Sequence, residues 1–114
     1  MSSDKVIIRE KRKNPRVSQE VPVVLLKEDE LNGSKGKTKD LSCVGAKILL
    51  DHGLQNNTQI AITLNLPSGS REFQGMVVRS DPVENDMYEV SLYFNDITMQ
   101  TRQKINDFVK EKWV

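Results

Sequence analysis

Between Gln59 and Leu66 the side chains alternate without a break, with Ile60, Ile62, Leu64 and Leu66 on one side and Gln59, Ala61, Thr63 and Asn65 on the other. A period of two marks a strand with one buried face, because successive β side chains point to opposite sides. Other segments read the same way. Glu20–Glu28 is β-branched and apolar, with Pro22 at an edge position or a strand start, since proline cannot donate to a ladder. Asp29–Ser34 is a turn, and Lys35–Leu41 alternates strictly, placing Lys35, Lys37 and Lys39 on one face. Ala46–Leu50 is a short strand ended by Asp51-His52-Gly53. Pro67-Ser68-Gly69-Ser70 is a hairpin loop of four residues, leading into a return strand over Arg71–Ser80. Asp81–Asp86 turns the chain again, and Tyr88, Val90, Leu92 and Phe94 line one face of a last strand. About six antiparallel strands at this spacing favour a small barrel or sandwich.

The period then changes. Ile97, Thr101, Ile105, Phe108, Val109 and Trp113 repeat at helical spacing, with Asn95 or Asp96 as N-cap and Lys110 and Lys112 in the last turn, where cations suit the helix dipole. One apolar stripe must be buried, and an open end of a barrel is the natural place. The expected fold is mainly β, a barrel plus a C-terminal helix.

A length of 114 residues suits a single domain able to bury a core without staples. No apolar run exceeds the four residues Val23–Leu26, far short of the ~20 that span a bilayer. The first residues lack the apolar stretch of a secretory signal. One cysteine, Cys43, excludes an intramolecular disulfide and fits a reducing cytoplasm. The glycosylation patterns Asn32-Gly33-Ser34 and Asn56-Asn57-Thr58 therefore read as coincidences in turns.

A net charge of +1 averages unlike parts. Lys5, Arg9, Lys11, Arg12, Lys13 and Arg16 face only Glu10, a local +5 over residues 5–16, whereas residues 17–114 carry 11 basic and 14 acidic side chains, a net −3. A basic arm on a mildly acidic body points to an anionic partner.

No reactive constellation accompanies it. His52 is the single histidine, in a turn, and a metal site would need several ligands. Cys43 reads as a small buried hydrophobe, and Asp81, Glu84 and Asp86 read as a solvated turn without the order of a calcium loop. Gly36-Lys37-Thr38 matches the end of a phosphate-binding loop, but its first glycine would fall on Leu31 and no helix pattern follows.

Two patterns remain. The first is Arg12-Lys13-Asn14-Pro15-Arg16, two arginines four apart, preceded by Lys11 and followed by Val17. The second is Asp40-Leu41-Ser42-Cys43-Val44-Gly45, a D-x-S-x-x-G at a strand-to-strand connection. Arginine's planar fork matches phosphate oxygens or the O6/N7 edge of guanine. Pro15 disfavours helix at Asn14, so the arm is expected to be extended or turned. Asp40 supplies an acceptor for the N1–H and N2–H pair of guanine, Ser42 can bond a base or phosphate, and Gly45 leaves room for close approach.

In these residues the sequence resembles the PilZ family of bacterial cyclic di-GMP receptors. KRKNPRV is similar to the family's RRxxPRV-like entry motif, and DLSCVGAKI to its D/N-x-S-x-x-G followed by a small residue and a strand. The segment Tyr88–Phe94 and the helix after it resemble the closing strand and C-terminal helix of the family. The resemblance implies a six-stranded antiparallel barrel whose first motif lies on a flexible arm that folds over the ligand. Residues 1–114 then form one PilZ domain, with the arm at 1–16, the barrel at 17–95 and the helix at 96–114. Carried over, Arg12 and Arg16 grip phosphate and guanine edges, Asp40 reads a guanine, Ser42 contacts base or phosphate, and Gly45 permits close packing. Where the family often has a double arginine, this chain has Lys11, which keeps the charge but loses the stacking plane that helps decide between one and two bound ligands. Arg79 is a further candidate.

These implications describe a cytoplasmic, non-catalytic adaptor, a monomer or weak dimer, with cyclic di-GMP as ligand. No cofactor or metal is expected, nor any nucleic acid partner or membrane insertion. Its protein effector is unknown. Ordering the arm costs roughly 1–2 kcal/mol per fixed residue, offset in part by charged hydrogen bonds of about 1.5–3 kcal/mol each from Arg12 and Arg16. A nucleic-acid-binding barrel is the first alternative. It would want exposed aromatics, whereas Phe73, Tyr88, Phe94, Phe108 and Trp113 all have core explanations. A PilZ-like docking module without ligand is the second, and the joint presence of Arg12, Arg16, Asp40 and Ser42 speaks against it. A hydrolase or cyclase lacks a nameable general base or metal cluster.

Overall fold

The structure is a computed structural model and describes residues 16–28 and 30–112. Lys11, Arg12, Pro15, Asp29 and Trp113, singled out above, lie outside the described residues. Six strands run as β1 (Pro22–Lys27), β2 (Ser34–Leu41), β3 (Gly45–Leu50), β4 (Gln59–Leu66), β5 (Gly69–Pro82) and β6 (Tyr88–Asp96), followed by helix α1 (Met99–Lys112). Every neighbouring pair is antiparallel, and the order β1-β2-β3-β6-β5-β4 closes on itself because β4 pairs with β1. The expected alternative of barrel or sandwich thus resolves to a barrel. Pro22 opens β1, where its missing donor is tolerated.

The apolar alternation fills the interior. Ile60, Ile62, Leu64 and Leu66 from β4 meet Val23 and Leu25 from β1 and Val90, Leu92 and Phe94 from β6 in one buried cluster. Phe73 and Phe94 pack edge to face, with centroids 4.7 Å apart and planes at 66°. Ile105, Phe108 and Val109 of α1 join the same cluster, with Ile97 packed against it.

Three of the boundaries that differ from the sequence reading have a clear physical cause. The hairpin expected to use four loop residues uses two, Pro67 and Ser68, because Leu66 already pairs with Gly69. Gly69 sits at φ +134°, a conformation that side-chain-bearing residues rarely adopt, and this lets the return strand begin early. At the other end β5 continues through Asp81 and Pro82, which pair with Glu89 and Tyr88. A register shift between Val77 and Arg79 precedes this extension and leaves Val78 outside at 50% exposure. The helix start also moves. Asn95 and Asp96 belong to β6, and the amide of Thr101 donates to Thr98 Oγ1 at 3.1 Å, so Thr98 is the cap in place of Asn95 or Asp96.

A candidate ligand site on the outer face of β2 and β3

Lys35–Leu41 does not keep its strict alternation to the end. The pairing of β2 with β3 shifts register between Thr38 and Asp40. Thr38 and Leu41 both point inward, at 1% and 0% exposure, so the extra residue puts Lys39 and Asp40 together on the outside. A bulge of this kind re-aims a side chain. Without it Asp40 would face the core.

The chain segment before β1 is stitched to the same strand. The amide of Val17 donates to the Leu41 carbonyl at 3.0 Å, and that of Leu41 to the Val17 carbonyl at 2.9 Å. Buried Thr38 adds a second clamp: its hydroxyl donates to the Gln19 carbonyl at 2.7 Å and accepts from the Val21 amide at 2.9 Å. Arg16 is thereby carried to β2, and its Nη1 donates to Asp40 Oδ2 at 2.9 Å. The pair is half-open, with side chains 42% and 24% exposed, and is worth about 0.2–1 kcal/mol in water.

The other motif residues shape the turn that follows. The amide of Ser42 donates to the Gly45 carbonyl at 2.9 Å, its Oγ reaches the same oxygen at 3.3 Å, and the Val44 amide donates to that Oγ at 3.3 Å. Ser42 is 1% exposed, so in this state its hydroxyl is occupied within its own turn. A Cβ added at Gly45 would lie 2.5 Å from the Leu92 carbonyl oxygen, which explains the glycine by the close approach of β6. Cys43 is buried beside them.

Arg79 stands on β5, and its Nε donates to Asp81 Oδ2 at 2.8 Å. Two strands separate it from β2. His52 ties the loop after β3 to the start of β2: Asp51 Oδ1 lies 2.6 Å from its Nδ1, and Ser34 Oγ lies 3.0 Å from its Nε2. A ring donating from Nδ1 accepts the serine proton at Nε2. Glu84 and Asp86 lie in one turn of 3-10 helix, and among the described residues no group of His, Cys, Asp and Glu is arranged to hold a metal. Gly36, Lys37 and Thr38 lie within β2, not in a phosphate-binding loop.

Two residues escaped the sequence reading. Thr38 looked like one more member of an alternating strand, although a buried hydroxyl requires partners. Tyr93 is 51% exposed and stands opposite Gly45 on one side and Met76 on the other. The alternation of Val90, Leu92 and Phe94 already placed Tyr93 outside, beside the glycine of the second motif.

The molecule is a closed six-stranded barrel with a helix appended, carrying a cation and a carboxylate paired on its outer face. The PilZ domain family model matches residues 10–111, and the chain belongs to that family. Among solved structures the fold is similar to Bacillus subtilis MotI, at TM-score 0.75 and 17% identity, covering 88% of this chain and 50% of that one. It is similar to the cyclic di-GMP-bound PilZ domain of Escherichia coli YcgR, at TM-score 0.69 and 17% identity, with 90% and 91% covered. The K. pneumonia MrkH complex with cyclic di-GMP matches at TM-score 0.72 and 14% identity, with 88% and 50% covered. The chain thus spans about half the length of MotI and of MrkH. No curated protein sequence matches it.

Proposed function

We propose that this chain is a non-catalytic receptor for cyclic di-GMP that signals as an adaptor through a protein effector in the cytoplasm. The observation that carries the reading is the Arg16–Asp40 contact at 2.9 Å, which brings the arginine motif to the carboxylate of the D-x-S-x-x-G motif. Family membership supports it, as do the cyclic di-GMP complexes of the PilZ domain of YcgR and of MrkH.

In this reading Asp40 accepts the paired N–H donors of one guanine, and Arg16 exchanges its carboxylate for guanine or phosphate oxygens. Arg12 supplies a second guanidinium for phosphate or guanine edges, with Lys11 as an additional cation. Ser42 and Gly45 hold the turn under the ligand. The unbound state has its own internal lock, because Arg16 and Asp40 satisfy each other. The ligand replaces one charge-assisted contact with several, so the net gain per contact is small and affinity must come from the whole set.

Titration calorimetry with cyclic di-GMP tests this. Micromolar or tighter binding that is lost in Arg16→Ala and in Asp40→Ala supports the reading. Absence of binding at high ligand concentration sinks it, and a gel shift with mixed RNA and DNA in its place would favour a nucleic-acid barrel.

A further inference from the structure

We propose that Lys47 is a further ligand-binding residue of this face, a point charge that receives a phosphodiester of the dinucleotide held at Asp40. The inference deepens the receptor reading and rests on it.

Register is the first argument. Asp40 and Lys47 are direct cross-strand partners on β2 and β3, and the next pair, Leu41 with Ala46, is buried. The Asp40–Lys47 rung therefore faces outward. It continues across β6 and β5 through Ser91 to Arg79. Adjacent strands lie about 4.8 Å apart, so Lys47 is one strand spacing from Asp40 and Arg79 roughly three.

Charge is the second. A carboxylate that reads guanine repels the phosphates of the same ligand, and the nearest cation on the rung can offset this. Arg16 is engaged with Asp40 itself, and Arg79 is engaged with Asp81 at 2.8 Å. Lys47 is held more loosely. Glu89 takes Lys39 on Oε2 at 3.0 Å and reaches Lys47 on Oε1 only at 3.9 Å, beyond hydrogen-bond distance. The Lys47 side chain is 47% exposed, and its long stem lets the ammonium swing toward a ligand.

The residue type is the third. Lysine has no planar fork, so it reads charge and not a base edge. It fits the phosphate share of the ligand and leaves guanine recognition to Asp40 and the arginines.

The test is calorimetry with cyclic di-GMP on wild type, Lys47→Ala, Lys47→Arg and Lys35→Ala, each checked for unchanged thermal unfolding. Lys35 lies on the outer face nearer the start of β2, away from the rung, and controls for general charge. Lys47→Ala should weaken binding about tenfold near 0.1 M salt, the scale of one charge-assisted contact. The gap should close to about twofold near 1 M, where the screening length falls to roughly 3 Å. Lys47→Arg and Lys35→Ala should both bind within about twofold of wild type. Wild-type affinity in Lys47→Ala, or an equal loss in Lys35→Ala, overturns the assignment while leaving the receptor reading intact. Failure of wild type to bind removes both.

Discussion

Arg16 and Asp40, 24 residues apart in sequence, meet at 2.9 Å because the strand that carries Asp40 is hydrogen-bonded to the segment that carries Arg16. The contact is therefore a product of backbone pairing and not of a chance encounter between surface charges. Breaking it should cost little in the unbound protein. Arg16→Ala and Asp40→Ala are each expected to shift stability by less than about 1 kcal/mol, as exposed pairs do. Chemical denaturation of the two variants and the double variant would measure this. A coupling well above that value would mean that the pair is structural first.

Thr38 should behave in the opposite way. Replacing it by valine leaves the Val21 amide without its acceptor in a buried position, a cost of about 1–3 kcal/mol. Thr38→Ser keeps the hydroxyl and should recover most of the loss in the same denaturation assay.

Gly45→Ala is expected to lower stability by roughly 1–3 kcal/mol, because the new methyl meets backbone and not a yielding side chain. Thermal unfolding should show a drop of several degrees even without ligand. A ligand-specific effect with unchanged unfolding would contradict the steric explanation.

Tyr93 presents an exposed ring beside Gly45, so Tyr93→Ala should leave stability within about 0.5 kcal/mol. If the ring stacks on a base, the same change weakens cyclic di-GMP binding by an amount near the 1–3 kcal/mol typical of base stacking. Tyr93→Phe should then bind as wild type, since the face of the ring and not its hydroxyl is used.

Much of this was legible in the side-chain alternation, because burying one face of a strand leaves a period that sequence cannot hide. Gln59–Leu66 was readable to the residue for that reason. The failures cluster where hydrogen bonding overrides the period. The bulge before Asp40 breaks the alternation of Lys35–Leu41, and nothing in a run of lysines marks the residue that will be left unpaired. Gly69 signalled a turn, but only its pairing with Leu66 shows that it also starts a strand. Of the candidate site, the motif residues on β2 and its following turn could be named from sequence. Lys47 could not, because its relation to Asp40 exists only through register.

Each of the six described strands has a strand neighbour on both sides, so no strand as a whole is an edge, although the Val78–Pro82 end of β5 pairs with β6 alone. Recognition by strand addition, a common way for β proteins to capture peptides, is restricted to that end of β5. Around the rest of the ring, contacts with another molecule fall to side chains. The same closure leaves little strand edge for edge-to-edge self-association.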